Sequence, residues 1–115
     1  MFGRLKKYGK WGELAEESEL LAIEAEGLQD KDASRCRELY LQAARLEEEV
    51  VGLIPEEKFV FEVYGSFIVS AVVLYYKAGN FIGARRIITE HRNKIQDSYN
   101  LTKLEEIIGA LDEQK

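Results

Sequence analysis

Apolar positions along the first half of the chain recur every three to four residues, which is the spacing of one face of an α-helix. The first run predicts a helix from 12 to 29, with glutamates covering its outer side. Its apolar face carries Leu14, Ser18, Leu21, Ala25 and Leu28. The second run predicts a helix from 33 to 53. Asp30 or Asp32 is placed to cap that helix by accepting a backbone N–H. Pro55 ends it, because proline cannot continue a helix.

The run from 56 to 78 is apolar nearly all round. Its β-branched residues would also suit strands, but some twenty residues without a turn signal favour a helix. A helix without a polar face is buried on most sides, so we expect this one to be the central element. Gly79 can end it in the left-handed conformation, and Asn80 can cap the helix that follows.

Two further amphipathic stretches predict helices from 81 to 94 and from 100 to 113. Ser98 or Asn100 is a candidate cap for the last one. Because the links between these helices are short, neighbouring helices should run antiparallel. The pattern therefore predicts an all-α fold of about five antiparallel helices, arranged as a bundle or a short α-solenoid.

Length and charge fit a single domain. The chain has 115 residues, of which 46% are apolar, and a net charge of −5. Residues 1–11 carry four basic side chains and no acid, so we interpret them as a basic, mobile leader. Residues 12–115 form the predicted domain. The acidic balance argues against a nucleic-acid partner, because phosphate binding needs clustered cations.

Cysteine and histidine are too few for most metal sites. The chain has one cysteine, Cys36, and one histidine, His91, so neither a disulfide within the chain nor a cysteine-based zinc site is expected. We predict no metal and no cofactor. The least polar stretch, 63 to 76, is too short to span a bilayer, so no integral membrane association is expected. No signal peptide is recognisable, which predicts a cytoplasmic protein.

The junction between the third and fourth predicted helices, Tyr75-x3-Gly79-x-Phe81-x2-Ala84, resembles the middle of a tetratricopeptide (TPR) repeat. In that family the glycine ends the first helix, the aromatic residue fills the gap between helices, and the alanine allows close approach. A second segment has the small–aromatic–small spacing of the family's second helix: Cys36, Tyr40 and Ala43. The resemblance implies a TPR-like helical domain.

The resemblance also implies a function. TPR-like proteins bind a peptide or a partner helix on a concave face made by the first helix of each pair. By this resemblance the third helix would offer Ser66, Val69, Val73, Tyr76 and Lys77 to a partner. An aromatic ring beside a cation, as in Tyr76 and Lys77, suits peptide recognition. We therefore predict a protein-binding adaptor module without catalytic activity.

Charged residues near apolar faces suggest a further site. Glu47 lies within the apolar stripe of the second helix, where an unpaired carboxylate would be costly. It should either reach water or pair with a cation such as Arg85 or Arg92. Arg85 and Arg92 are also a candidate site for an acidic peptide or a phosphate.

Two alternatives to the adaptor role stay open. The third helix has more large apolar residues than a thin bundle easily buries, which is typical of a subunit that forms a homodimer or larger homo-oligomer. Arg86-x4-His91 fits the Arg-x4–6-His motif of HEPN-type ribonucleases. Residues five apart on a continuous helix point about 140° from each other, which argues against a joint catalytic role.

Overall fold

The computed structural model describes residues 9–58 and 62–114, and within these ranges it is helical without strands. The helices are α1 (Lys10–Gly27), α2 (Ala33–Leu53), α3 (Glu62–Lys77), α4 (Phe81–His91) and α5 (Ser98–Asp112). Single turns of 3-10 helix occupy Glu56–Lys58 and Arg92–Lys94. The predicted all-α class with five helices is confirmed.

The helix boundaries agree best with the prediction where local signals are strongest. The bounds of α2 are those predicted, whereas α1 begins and ends two residues early. The third helix was predicted from residue 56, but Glu56–Lys58 form a 3-10 turn and the regular helix described begins at Glu62. Residues 59 to 61 lie outside the described residues, as does most of the predicted leader.

Two of the predicted caps are present. Asp32 Oδ1 accepts the backbone N–H of Arg35 at 3.1 Å, and Asn80 Oδ1 accepts that of Gly83 at 2.8 Å. Between α3 and α4, Gly79 has φ +77°, the left-handed conformation that glycine adopts without strain. At each of these positions a helix begins or ends within one turn of the residue that predicted its boundary.

The predicted cap of the last helix is wrong. Asp97, and neither Ser98 nor Asn100, caps α5, its Oδ2 accepting the backbone N–H of Asn100 at 2.9 Å. The Asn100 side chain is instead buried, and its Nδ2 donates to the carbonyl of Glu62 at 3.1 Å. Gly65 leaves room for this contact, since a Cβ there would lie 2.7 Å from Asp97 Oδ1.

The central position of α3 is confirmed, because it packs against α2, α4 and α5, while α1 packs against α2. The core includes Ile68 and Val72 of α3 and Leu104 and Leu111 of α5, all fully buried. The prediction that α3 is buried on most sides is only partly confirmed, because one side of this helix carries exposed and half-buried residues. None of the helices described is both long and apolar enough to cross a membrane.

Candidate functional site

A cavity of about 300 Å³ lies where α1, α2 and α3 meet. The wall is made by Ala15, Ser18, Glu19 and Ala22 of α1, Glu47 of α2, and Phe67, Ser70 and Leu74 of α3. The backbones of α1 and α3 do not pack closely on each other, although each of these helices packs against α2. The cavity therefore occupies the gap that the two outer helices leave above α2.

Glu47 is a charged residue that is buried in the wall of this cavity. Only 6% of the residue is exposed, and Oε2 has no hydrogen-bond partner. Of the two alternatives predicted for Glu47, pairing with Arg85 or Arg92 is contradicted, because Arg85 pairs with Asp112 and Arg92 pairs with Glu105. A single residue that breaks the apolar stripe of α2 thus supplies a buried carboxyl group to the cavity.

The surroundings of Glu47 favour its neutral form. Burial raises the pKa of its carboxyl group to about 7, and the negative charge of Glu19 acts in the same direction. The neighbouring hydroxyl groups of Ser18 and Ser70 lower the pKa, but by less than burial raises it. Near neutral pH this group is therefore divided between its protonated and ionised forms.

The two serines and one ring complete the chemistry of the wall. Ser18 Oγ donates its proton to the carbonyl of Ala43 at 2.9 Å, so the oxygen keeps lone pairs to accept a further hydrogen bond. The Phe67 ring packs edge to face with Trp11, with ring centroids 5.8 Å apart. This constellation can hold a hydrogen-bond donor.

The predicted partner-binding residues on α3 divide into two groups. Ser66, Val69 and Val73 lie on its open side, where Ser66 is exposed and the two valines are half-buried. Ser66 Oγ lies 3.5 Å from Asn100 Nδ2, so its end of the face adjoins the start of α5. These three residues form a continuous strip, which we call the open face of α3.

Tyr76 and Lys77 do not form the joint platform that the sequence suggested. The half-buried Tyr76 ring packs on Phe81 with centroids 5.4 Å apart, and its Oη lies 3.5 Å from Gln114 Nε2. Lys77 Nζ lies 5.4 Å from the ring centroid of Tyr40 on α2. Because consecutive residues on a helix point about 100° apart, the two side chains contact different neighbours.

The candidate anion site consists of two arginines that already have partners. Arg85 donates to Asp112 at 3.2 Å and to the carbonyl of Leu111 at 2.9 Å. Arg92 donates to Glu105. Both guanidinium groups thus tie the α4 segment to α5, and their role in binding an anion stays a prediction.

A second polar cluster joins α2, α3 and α4. Glu48 accepts the Tyr75 hydroxyl at 2.6 Å and two N–H groups of Arg86 at 2.7 and 2.8 Å. The Arg86 guanidinium lowers the pKa of the Glu48 carboxyl, whereas burial and this carboxylate raise the pKa of Tyr75 to about 12. His91 Nδ1 lies 3.0 Å from the Tyr64 hydroxyl, and burial lowers its pKa. Arg86 and His91 thus have different main partners, but Glu90 lies near both, 3.3 Å from Arg86 Nη1 and 3.8 Å from His91 Nε2.

This cluster gives a first testable prediction. Replacing Glu48 by Gln removes the charge that Arg86 pairs with, so unfolding free energy at about pH 7 should fall by about 1 kcal/mol. Because the pKa of Glu48 is lowered on folding, its contribution is present above pH 4.5 and is lost as pH falls through the lowered value. The deficit should accordingly shrink in urea unfolding at about pH 2. Glu49→Gln, on an exposed residue of the same helix, is the control. A Glu48→Gln deficit that is the same at both pH values would contradict the charge pairing.

Several residues of the cavity were missed at the sequence level. Phe67 and Ser70 were read as part of a buried helix, although they face the gap next to α1. The one signal available was the polar pair Ser18 and Glu47, each placed within an apolar stripe. Both residues are buried and line the same cavity.

Comparison of the chain with protein-family models, with curated proteins and with solved structures yields no match. The resemblance to TPR repeats therefore stays a prediction. Within the described ranges, no three histidine, cysteine or acidic side chains come together in a way that could hold a metal ion.

Proposed function

We propose that this chain is a TPR-like protein-interaction module, without catalytic activity, that binds a peptide or a partner helix along the open face of α3. One observation carries the proposal: the central helix of the domain keeps a partly exposed strip beside a cavity of about 300 Å³. A helix that is apolar nearly all round is ordinarily buried on most sides. The uncovered side is therefore available to a partner.

The composition of this region supports an extended ligand. Val69 and Val73 are four residues apart and share one side of α3, and the cavity opens next to them along α1. A partner that covers half-buried valines gains apolar contact at about 25 cal/mol per Å² of surface removed from water. Amphipathic helices and peptides bind in grooves of this kind through side chains spaced one turn apart. We place this role in the cytoplasm.

The test is capture of binding partners by the purified chain. We expect Val73→Glu to reduce recovery of bound proteins at least about tenfold, because an ionised group must be desolvated where a partner covers the face. Lys77→Glu tests the neighbouring position. Quantitative mass spectrometry of captured proteins is the readout, and circular dichroism with thermal melting verifies that each variant folds.

Two matched controls accompany these variants. Ile82→Glu makes the same kind of change as Val73→Glu on α4, where Ile82 is 84% exposed and outside the cavity wall. Glu49→Lys reverses one exposed charge, as Lys77→Glu does. If folded Val73→Glu captures the same proteins in the same amounts as wild type, the open face is not the binding surface.

A self-associating subunit is the alternative that the surface composition favours. Leu20 and Ile23 on α1 are each about half exposed, as is Val63 at the start of α3. Sedimentation equilibrium of wild type and Val73→Glu separates the two roles. A dimer that the substitution dissociates would favour the structural subunit, whereas a monomer supports the adaptor.

The ribonuclease alternative depends on Arg86 and His91 acting together. Arg86 is engaged by Glu48 on α2, and His91 by Tyr64 on α3. A ribonuclease assay comparing wild type with His91→Ala decides it. Equal or absent activity in the two proteins would exclude this function.

A further inference from the structure

The cavity between α1 and α3 contains a carboxyl group without a compensating charge. Glu47 is buried, its Oε2 lacks a hydrogen-bond partner, and no basic side chain is among the described residues that line the wall. Glu19 adds a second carboxyl group to the same wall. A buried carboxylate is ordinarily neutralised by a proton or by a cation that hydrogen-bonds to it. Where Glu47 is ionised, the group that the described wall does not supply is a positively charged hydrogen-bond donor.

The rest of the wall suits the end of a long basic side chain. Ser18 Oγ accepts hydrogen bonds once its own proton is donated to the Ala43 carbonyl, and Ser70 offers a second hydroxyl. Phe67 and Leu74 supply apolar surface for a methylene chain, and an aromatic ring also attracts cations. At about 300 Å³ the cavity is near the lower end of ligand sites, so it fits a single side chain.

We propose that the Glu47 cavity binds an alkylammonium or guanidinium group, which a lysine or arginine side chain of the partner inserts between α1 and α3. That the cation comes from a partner protein rests on the proposed function, whereas the cation-binding site itself does not. An ammonium group donates three hydrogen bonds, which match the Glu47 carboxylate and the oxygens of Ser18 and Ser70. The acidic wall excludes an anionic side chain from the same place.

Binding of a cation in this cavity is coupled to loss of a proton. Glu47, with its pKa raised to about 7, must be ionised to pair with the ligand, so affinity should increase from about pH 5 to about pH 8. Of the other residues in the wall, Glu19 on α1 carries a charge, and those contributed by α3 carry none.

The test uses small probes and needs no knowledge of the partner. N-acetyl-lysine methylamide and N-acetyl-arginine methylamide are titrated into the full chain by NMR at about pH 8, with N-acetyl-norleucine methylamide as the uncharged analogue. We expect the cationic probes to bind at millimolar concentration and to shift resonances of Ser18, Ser70 and Phe67. The norleucine analogue should bind at least about tenfold more weakly. n-Butylammonium tests whether a free amine is bound as well as a side chain.

The variants decide the role of the carboxylate. Glu47→Gln keeps the shape but removes the charge and should weaken the cationic probes at least about tenfold. Glu49→Gln should leave binding unchanged. The proposal is overturned if no cationic probe binds folded wild type at millimolar concentration, if the norleucine analogue binds equally well, or if Glu47→Gln binds as wild type does. Probe binding through Glu47 with no captured partner would support the site and contradict the adaptor role. The reverse result would support the adaptor and overturn the site.

Discussion

Raising the pH from 4.5 to about 7 should lower the unfolding free energy of the wild-type chain by about 3 kcal/mol through Glu47 alone. The pKa of this carboxyl group is 4.5 in the unfolded chain and about 7 in the folded one, and each unit of difference corresponds to about 1.4 kcal/mol. Between these values the folded state binds more protons than the unfolded state. The stabilising contribution of the protonated group is therefore complete below pH 4.5 and is lost as pH rises through 7.

Comparison with Glu47→Gln isolates this effect from other titrating groups. Glutamine has nearly the shape of a protonated glutamate and does not titrate, so both proteins should be about equally stable at low pH. Above pH 7 the variant should be more stable by about 3 kcal/mol, measured by urea unfolding at several pH values. His91 and Glu48, with their lowered pKa values, act in the opposite direction but equally in both proteins. Parallel stability curves for the two proteins would show that Glu47 titrates normally.

The pH dependence of stability also has a consequence for cation binding at Glu47. A protein that loses stability by keeping a carboxyl group in its core generally recovers it when a ligand supplies the missing partner. Saturation with a cationic probe should accordingly raise the thermal unfolding midpoint of wild type above pH 7 and leave that of Glu47→Gln unchanged.

Replacing Gly83 by Ala should destabilise the chain by about 2 kcal/mol, whereas Gly109→Ala should stabilise it by about 0.5 to 1 kcal/mol. A Cβ at Gly83 would lie 2.7 Å from Cδ1 and 3.0 Å from Cε1 of Tyr75, closer than side-chain atoms tolerate. Tyr75 is 3% exposed and donates to Glu48 at 2.6 Å, so its ring cannot easily move away.

Gly109 is the matched control for this substitution. Its Cβ would have no neighbour within 4 Å, so alanine adds helix propensity without a clash. The two variants make the same chemical change in a helix and should differ by about 3 kcal/mol in urea unfolding at neutral pH. A stabilising effect of Gly83→Ala would contradict the close approach of α3 and α4 at this position. The TPR-like pattern assigned the close approach to Ala84, which is also fully buried.

The apolar pattern predicted five helices close to their observed places, and local signals marked several of their ends. The bounds of α2, the caps of Asp32 and Asn80, and the left-handed turn at Gly79 follow from side chains acting within one turn of backbone. The central place of α3 follows from its lack of a polar face. These signals act within one turn of backbone, so they do not depend on how the helices pack together.

The contacts of the unusual residues could not be predicted, because they depend on how the helices pack in three dimensions. That Glu47 has no cation, while Arg85 and Arg92 pair with α5, depends on which helices are neighbours. The same is true of the cavity, since residues of three helices make its wall. It also holds for Gly83, because the nearby Tyr75 ring belongs to another helix. Periodicity shows which side of a helix is apolar, but the distance between two helices is set by how their side chains pack together.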